Sequence, residues 1–329
     1  MLIDSFGRQI TYLRISVTDR CNFRCVYCMP PQGVPYVPHE RIMRYEEIAA
    51  LVAVAARLGI RKVRITGGEP LVRADLPRLV QMISAIEEIE DISLTTNGIL
   101  LEKYAGALAQ AGLKRVNVSL DTLNAEKFAR ITRGGNLENV LRGIAAAEVC
   151  GLTPIKINTV IMRGINDDEL VDLAKLTLKH TWNLRFIELM PIENQQSWGE
   201  GFPPPEQIFM PVSEVMALLQ PLGLEPAILE NDSGPARPYR LKGGMGTVGF
   251  ISPLTEQHFC QRCNRIRLTA DGHLRPCLMS GLEIPVLPAL RAGKPIESLL
   301  EEALQKKPAG HQLASHISPN GRCMIQIGG

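Results

Sequence analysis

Two groups of cysteines in this chain are spaced for metal chemistry. Cys21, Cys25 and Cys28 stand as C-x3-C-x2-C, and Cys260, Cys263 and Cys277 stand as C-x2-C-x13-C. Each group offers three thiolates, one short of the four that hold an ordinary 4Fe–4S cluster. An iron without a protein ligand can bind a small molecule directly, so the shortfall has a chemical meaning. The competing metal is zinc, held by three cysteines and a histidine. Near the first group the closest histidine, His39, lies beyond a proline-rich stretch; near the second, His258 or His273 can complete a zinc knuckle, and spacing alone leaves that choice open. Arg265 and Arg267 alternate within the second group, and on a strand they share a face and can grip one anion together. Gly67-Gly68-Glu69-Pro70 combines glycines that admit a ligand close to the backbone with a carboxylate able to receive an ammonium group. The lone cysteines Cys150 and Cys323, and His180, His311 and His316, have no ligand-like spacing and receive no role.

These residues need elements to position them. Short β-rich runs are predicted at Leu13–Val17, Val63–Thr66, Ser93–Thr96, Val116–Leu120, Ile155–Val160 and Arg185–Leu189. Helical periodicity falls between them, at Glu46–Leu58, Leu76–Glu88, Leu101–Ala111, Leu137–Val149 and Asp168–Lys179. Asp75 and Asn136 are expected N-caps, and Gly59, Gly112 and Gly151 are expected just past helix ends. Six alternating units imply a parallel sheet with helical crossovers, open or curved into a partial barrel. Either way ligands belong at the C-terminal ends of the strands. The Gly-Gly-Glu-Pro turn, Thr96-Asn97-Gly98 and Asp121 all sit there. After Met190 the pattern breaks into Pro- and Gly-rich stretches. Strand-like runs follow at Thr247–Ile251 and Ile266–Thr269, with Asp271-Gly272 as a hairpin turn and Ile296–Leu304 as a helix.

Composition bounds the rest. The chain has 329 residues, of which 45% are apolar, enough for a sizeable core, and a formal net charge of +2. That balance gives no support for non-specific nucleic-acid binding. No apolar run is long enough to span a bilayer, and Asp4 and Arg8 in a weakly apolar start do not read as a secretory leader. A cytoplasmic protein is expected, and in that compartment eight cysteines are not a disulfide framework.

The C-x3-C-x2-C spacing with Tyr27 before its last cysteine, followed by Gly67-Gly68-Glu69-Pro70, resembles the radical S-adenosylmethionine superfamily. Asp19-Arg20-Cys21-Asn22-Phe23-Arg24-Cys25, the segment from Phe259 through Gly272 to Cys277, and Gly328-Gly329 are similar to the GTP 3′,8-cyclases of molybdenum-cofactor biosynthesis. The similarity runs over essentially the whole chain. It implies an α/β fold, a partial (β/α)6 TIM-like barrel with a smaller C-terminal α+β domain closing the barrel mouth. Residues 1–222 would form the barrel with a 4Fe–4S cluster on Cys21, Cys25 and Cys28. Residues 223–329 would bring a second 4Fe–4S cluster on Cys260, Cys263 and Cys277, together with GTP-binding arginines. The implied S-adenosylmethionine contacts are Tyr27, Gly68, Glu69, Ser119 and Met190. The implied GTP contacts are Arg14, Arg64, Thr95, Lys156, Arg265 and Arg267. Arg265, Arg267, Gly328 and Gly329 are the implied catalytic set.

The implied reaction starts with reductive cleavage of S-adenosylmethionine. The deoxyadenosyl radical takes the C3′ hydrogen of GTP, and the new carbon radical attacks C8, giving 3′,8-cyclo-7,8-dihydro-GTP. The implied partners are an electron donor such as a flavodoxin and the next enzyme, cyclic pyranopterin monophosphate synthase, by product hand-off. Neither nucleic acid nor membrane is expected, and the protein would be a monomer or homodimer. The competing readings are a radical enzyme acting on a peptide, a non-catalytic iron–sulfur electron carrier, and a zinc-stabilised binding module. The paired arginines favour a phosphate-bearing substrate over the first, and the Gly-Gly-Glu-Pro turn is unexplained by the second.

Overall fold

The computed structural model describes residues 1–191, 198, 202–228, 234–311 and 322–328. Gly329 and His316, named above, lie outside the described residues. The barrel portion runs β1 (Tyr12–Ser16), α1 (Tyr45–Arg57), β2 (Lys62–Thr66), α2 (Leu76–Ser84), β3 (Asp91–Thr96), α3 (Leu101–Gln110) and β4 (Arg115–Ser119). It continues through α4 (Ala125–Thr132), α5 (Leu137–Val149), β5 (Lys156–Ile161), α6 (Leu170–Lys179) and β6 (Asn183–Glu188). Beyond it come α7 (Pro205–Ile208), α8 (Val212–Leu219), β7 (Glu225–Pro226), β8 (Arg237–Arg240), β9 (Thr247–Ile251) and β10 (Arg265–Leu268). The chain ends through β11 (His273–Arg275), β12 (Ile284–Pro285), α9 (Leu287–Arg291), α10 (Glu297–Gln305) and α11 (Met324–Ile327).

Among the described residues the strands form one sheet in the order β12-β11-β10-β1-β2-β3-β4-β5-β6-β9-β8-β7. From β10 to β9 every neighbouring pair is parallel, and the outer hairpin strands are antiparallel. The six sequence-predicted strands are all present. β9 and β10 join them as further parallel strands, one on each edge of the six. This is the partial TIM-like barrel expected of the sequence, and its C-terminal portion continues the barrel's own sheet.

A parallel sheet covered by helices on both faces reads as nearly continuous apolar runs. These strands alternate instead, because one face looks onto a lumen. Leu13, Ile15, Val63, Ile65, Leu94, Val116, Val118, Ile157, Leu184, Phe186, Val248 and Phe250 point outward into one hydrophobic core shared with the helices. The residues between them point inward and are largely polar. Register aligns them in rungs: Arg267 with Arg14 and Arg64, and Ser119 with Asn158 and Arg185.

Local signals explain most helix boundaries. Asn136 caps α5 by accepting from the Asn139 N–H at 3.0 Å, and Gly59, Gly112 and Gly151 take positive φ just past α1, α3 and α5. Asp75 departs from its expected role. It stands before α2 with φ +57°, and its side chain makes no capping hydrogen bond, so Pro77 in the first turn starts this helix. α2 also ends at Ser84, about a turn before its predicted limit, where the Ile86 and Ile89 amides turn back to Ile83 and Ile86. α4 was not predicted. Its eight residues bury Phe128, Ile131 and Thr132, too few apolar positions to show a period.

Candidate functional site

A cavity of about 240 Å³ opens at the C-terminal ends of the parallel strands. Its lining unites residues from both cysteine groups' neighbourhoods. Arg14, Tyr27, Arg64, Thr95, Ser119 and Met190 come from the barrel; Cys260, Cys263, Cys277, Arg265 and Arg267 come from the C-terminal portion. Gly68, Glu69, Lys156, Gly328 and the first cysteine triad, Cys21, Cys25 and Cys28, are not in that lining. Lys156 sits one rung deeper on β5, paired in register with Asn117 and Asn183.

The first cysteine group occupies the loop after β1. Cys21, Cys25 and Cys28 are free thiols and partly buried by exposure. Burial pushes the Cys21 thiol up to about 11 and raises Cys25 well above its usual range, with neighbouring Cys28 and Asp121 adding to the latter. Cys28 is raised chiefly by burial and then by the closeness of Cys21 and Cys323. Three thiols crowded away from water become thiolates when cationic iron balances their charge, which is the chemistry of a cluster site. The Phe23 N–H donates to the Cys21 sulfur at 3.3 Å, and the Asn97 side-chain N–H approaches it at 4.0 Å.

The surrounding loops are built on Gly-Gly-Glu-Pro. A Cβ on Gly68 would stand 2.3 Å from the Arg20 carbonyl oxygen, so no side chain fits between this turn and the cysteine loop. The Glu69 carboxylate accepts three hydrogen bonds within the protein, at Oε1 from Leu71 N–H at 3.0 Å and Thr96 Oγ1–H at 2.7 Å and at Oε2 from Asn97 N–H at 2.7 Å. Burial nevertheless pushes its carboxyl up to about 7, against those three donors. Tyr27 donates its hydroxyl to Asp121 at 2.7 Å, and burial pushes the Asp121 carboxyl up to about 6.

Across the cavity, the second group is also three free thiols. Burial raises the Cys263 thiol, but Arg265 and Lys307 outweigh it and bring it down to about 7. Lys307 is almost wholly buried and donates to the Arg265 and Pro276 carbonyls at 2.9 and 2.5 Å. The Met279 N–H donates to the Cys277 sulfur at 3.4 Å. No three His, Cys, Asp or Glu side chains converge closely enough to hold a single metal ion among the described residues. The donor chemistry of each triad, soft sulfur with amide N–H groups directed at it, fits an iron–sulfur cluster.

Beside the second triad the cavity is lined by a belt of cations, Arg14, Arg64, Arg265 and Arg267. Burial, then the proximity of Arg267 and Arg64, drives the Arg14 guanidinium well below its usual range; burial, then Arg265, brings Arg267 down to about 9. Like charges packed this way repel one another until an anion enters. Arg267 also donates to the Gly328 carbonyl at 2.8 Å, which ties α11 to the belt. Two buried polar atoms in the same lumen, Thr95 Oγ1 and Asn158 Oδ1, have no hydrogen-bond partner among the described residues. Buried polar atoms are almost always satisfied, so such orphans point to a polar ligand.

Sequence reasoning missed Asn158, Arg185, Phe259, His311 and Met324, which also line the cavity. Asn158 and Arg185 carried a usable signal, since both fall on the inward parity of strands whose other parity is apolar. Phe259 and Met324 begin single helical turns and His311 lies in a loop, all too short to have a periodic signature. No helix among the described residues is long and apolar enough to cross a membrane.

Comparison with known proteins agrees with this geometry. The Radical SAM superfamily model matches residues 15–177, and the Molybdenum Cofactor Synthesis C model matches residues 182–313. A GTP 3′,8-cyclase from Pelotomaculum thermopropionicum is 53% identical over 331 residues, spanning 99% of this chain and 99% of its own. One from Moorella thermoacetica is 51% identical over 329 residues with the same two coverages. One from Listeria monocytogenes is 45% identical over 337 residues, spanning 100% of this chain and 99% of its own. Among solved structures, Streptococcus suis SuiB bound to S-adenosylmethionine superposes with a TM-score of 0.63 at 12% identity, over 91% of this chain and 68% of that one. At that identity the likeness concerns the fold.

Proposed function

The chain belongs to the GTP 3′,8-cyclase family of radical S-adenosylmethionine enzymes, and from that premise we propose how its own residues serve the conversion of GTP to 3′,8-cyclo-7,8-dihydro-GTP. The observation that carries the assignment is a cavity whose lining brings Arg14, Arg64, Arg265 and Arg267 together with Cys260, Cys263 and Cys277, and with Tyr27 of the first cysteine loop. When bound, the two 4Fe–4S clusters and S-adenosylmethionine supply the radical chemistry that removes the C3′ hydrogen and allows C3′ to bond to C8.

The protein's part is to bind, orient and exclude. Cys21, Cys25 and Cys28 hold the first cluster, and Cys260, Cys263 and Cys277 hold the second. Arg14, Arg64, Arg265 and Arg267 take the triphosphate, whose charge relieves their mutual repulsion. Thr95 is a hydrogen-bonding partner for GTP, and Lys156, in register with Thr95 through Asn117, adds a cation to the same row. Tyr27, Ser119 and Met190 form the S-adenosylmethionine side of the cavity, with Gly68 admitting the ligand's approach. Glu69 ties the surrounding loops together, and its Oε2, which accepts only from the Asn97 N–H, keeps a lone pair for the ammonium group of S-adenosylmethionine. Gly328 meets Arg267 through its carbonyl, and we extend the same role to Gly329. Apolar Val160, Ile187 and Leu189 line the lumen beside the polar groups and limit stray water and hydrogen donors.

We further propose that the labour divides at residue 222, with 1–222 serving the first cluster and 223–329 bringing the second cluster and two of the arginines. The protein works in the cytoplasm as a monomer or homodimer. A flavodoxin-like donor supplies electrons, and the product passes to cyclic pyranopterin monophosphate synthase. The test is anaerobic turnover with S-adenosylmethionine, dithionite and each nucleoside triphosphate in turn. 5′-Deoxyadenosine formation is expected with GTP, carrying deuterium from 3′-labelled GTP. Replacing Arg265 or Arg267 with Ala is expected to weaken GTP binding by about ten-fold or more while both clusters still assemble. Unchanged GTP affinity in these variants would refute the arginine assignment.

A further inference from the structure

The loop carrying Cys21, Cys25 and Cys28 is held by residues 128–135, a segment to which none of the roles above assigns a function. Two backbone bonds join them: Arg24 N–H to the Thr132 carbonyl at 3.1 Å, and Val26 N–H to the Ile131 carbonyl at 3.0 Å. Phe23 meets Phe128 edge-on, with ring centroids 5.9 Å apart. Gly135 closes on the same two rings, where an added Cβ would lie 2.9 Å from each.

Arg133 is the centre of this contact. It ends α4 with φ +54° and ψ +56°, a left-handed conformation that disfavours side-chain residues. Gly134 follows at once, so the strain falls on arginine although glycine is adjacent. The side chain accounts for the choice. Its Nη1 donates to the Arg24 carbonyl and to the Met29 carbonyl, both at 2.8 Å, and its Nη2 donates to the Trp198 carbonyl at 2.5 Å. Arg24 and Met29 flank Cys25 and Cys28 on either side. One planar guanidinium therefore brackets the Cys25–Cys28 part of the ligand loop from both sides, and its charge also attracts the Cys25 sulfur while Arg24 opposes it. A lysine, with one nitrogen at its tip, cannot span three carbonyls in this fixed fork.

We propose that Arg133 is a positioning residue for the first iron–sulfur cluster, fixing the span of the Cys21–Cys28 loop and holding a cation beside Cys25 that makes the bound cluster easier to reduce. This rests on the reading that Cys21, Cys25 and Cys28 hold that cluster. A cation near cluster sulfur favours the state with one more electron, so its loss drives the potential negative.

The test compares Arg133→Gln, Arg133→Lys and Arg133→Gly in full-length protein whose Cys260, Cys263 and Cys277 are replaced by Ala, so that one cluster remains to be observed. Potentials come from anaerobic titration followed by electron paramagnetic resonance, and loop order from amide hydrogen exchange at residues 24–29. Arg133→Gln is expected to bind iron but shift to a more negative potential. Arg133→Lys is expected to keep the potential nearer the parent value, with loop exchange about ten-fold faster. Arg133→Gly relieves the backbone strain, so its melting temperature holds while both the potential and the loop exchange change. Parent potential and parent exchange in Arg133→Gln and Arg133→Gly would overturn the proposal. Cys25→Ala is the control: if it binds as much iron as the parent, the cluster reading itself fails and this inference falls with it.

Discussion

Lys307 shows how a single residue can set the chemistry of a site that it does not line. Its buried ammonium bonds the Arg265 and Pro276 carbonyls, near the two ends of the stretch between Cys263 and Cys277, and after Arg265 helps to lower the Cys263 thiol toward neutrality. A depressed thiol contributes stability above its unfolded value, and that contribution is lost as pH falls through the folded value of about 7. Protein stripped of metal should therefore react with iodoacetamide at Cys263 with a midpoint near pH 7, while Cys21, Cys25 and Cys28 stay largely unmodified at pH 8. Lys307→Met should move that midpoint upward and lower stability by about 2–3 kcal/mol through two stranded carbonyls. Mass-spectrometric mapping across a pH series checks the first, and urea unfolding the second. An unmoved midpoint in the variant would show that Arg265 acts alone. The cysteines and paired arginines were legible in the sequence because their spacing is itself the signal. Lys307 and Arg133 were not, because each acts on residues far along the chain and stands in no motif.

Elements pass such effects between sites. α5 lies so close to the loop after β3 that a Cβ on Gly143 would meet the Gly98 carbonyl oxygen at 2.4 Å. Gly98 follows Asn97, whose backbone N–H holds Glu69 and whose side chain faces Cys21 and Asn22. Gly143→Ala must therefore push the β3–α3 loop, costing about 1–3 kcal/mol by overpacking. A lower melting temperature and weaker cluster loading at Cys21–Cys28 are expected, with the second cluster unaffected. Thermal melts and iron assays on protein lacking one triad or the other separate the two effects, and equal loading would disconnect the helix from the cluster. Strands were legible as elements because the outer parity is apolar without exception at Leu13, Ile15, Val63 and Ile65. α4 escaped because its purpose is to cradle another loop, which needs few buried residues.

At the scale of the whole molecule, the sheet is completed from outside the six βα units. β9 covers the edge of β6 and β10 covers the edge of β1, so residues beyond 222 shield both flanks of the barrel. A chain truncated after Leu222 leaves those two edges bare and should aggregate, since unpaired strand edges template association. Size-exclusion chromatography decides it: a monodisperse, melting 1–222 fragment would mean that the barrel stands alone. This arrangement was hidden from the sequence because pairing of Tyr12 with Arg265, or of Asn183 with Thr247, leaves no local pattern. Thr247–Ile251 and Ile266–Thr269 were recognisable as strands, but nothing in either run says which edge it joins.

The seat of α11 has a consequence in time. Ile325 packs near Gly68 and against the hydrophobic group that includes Cys21 and Cys28, and Arg322 moors the segment by ion pairs to Asp271 and Glu283. Ribosomes reach these residues nearly three hundred codons after Cys28. The cysteine loop is therefore uncovered throughout most of translation and is roofed only when Arg322 finds its two acids. Covering the first triad is thus coupled to the making of a segment nearly three hundred residues further along the chain.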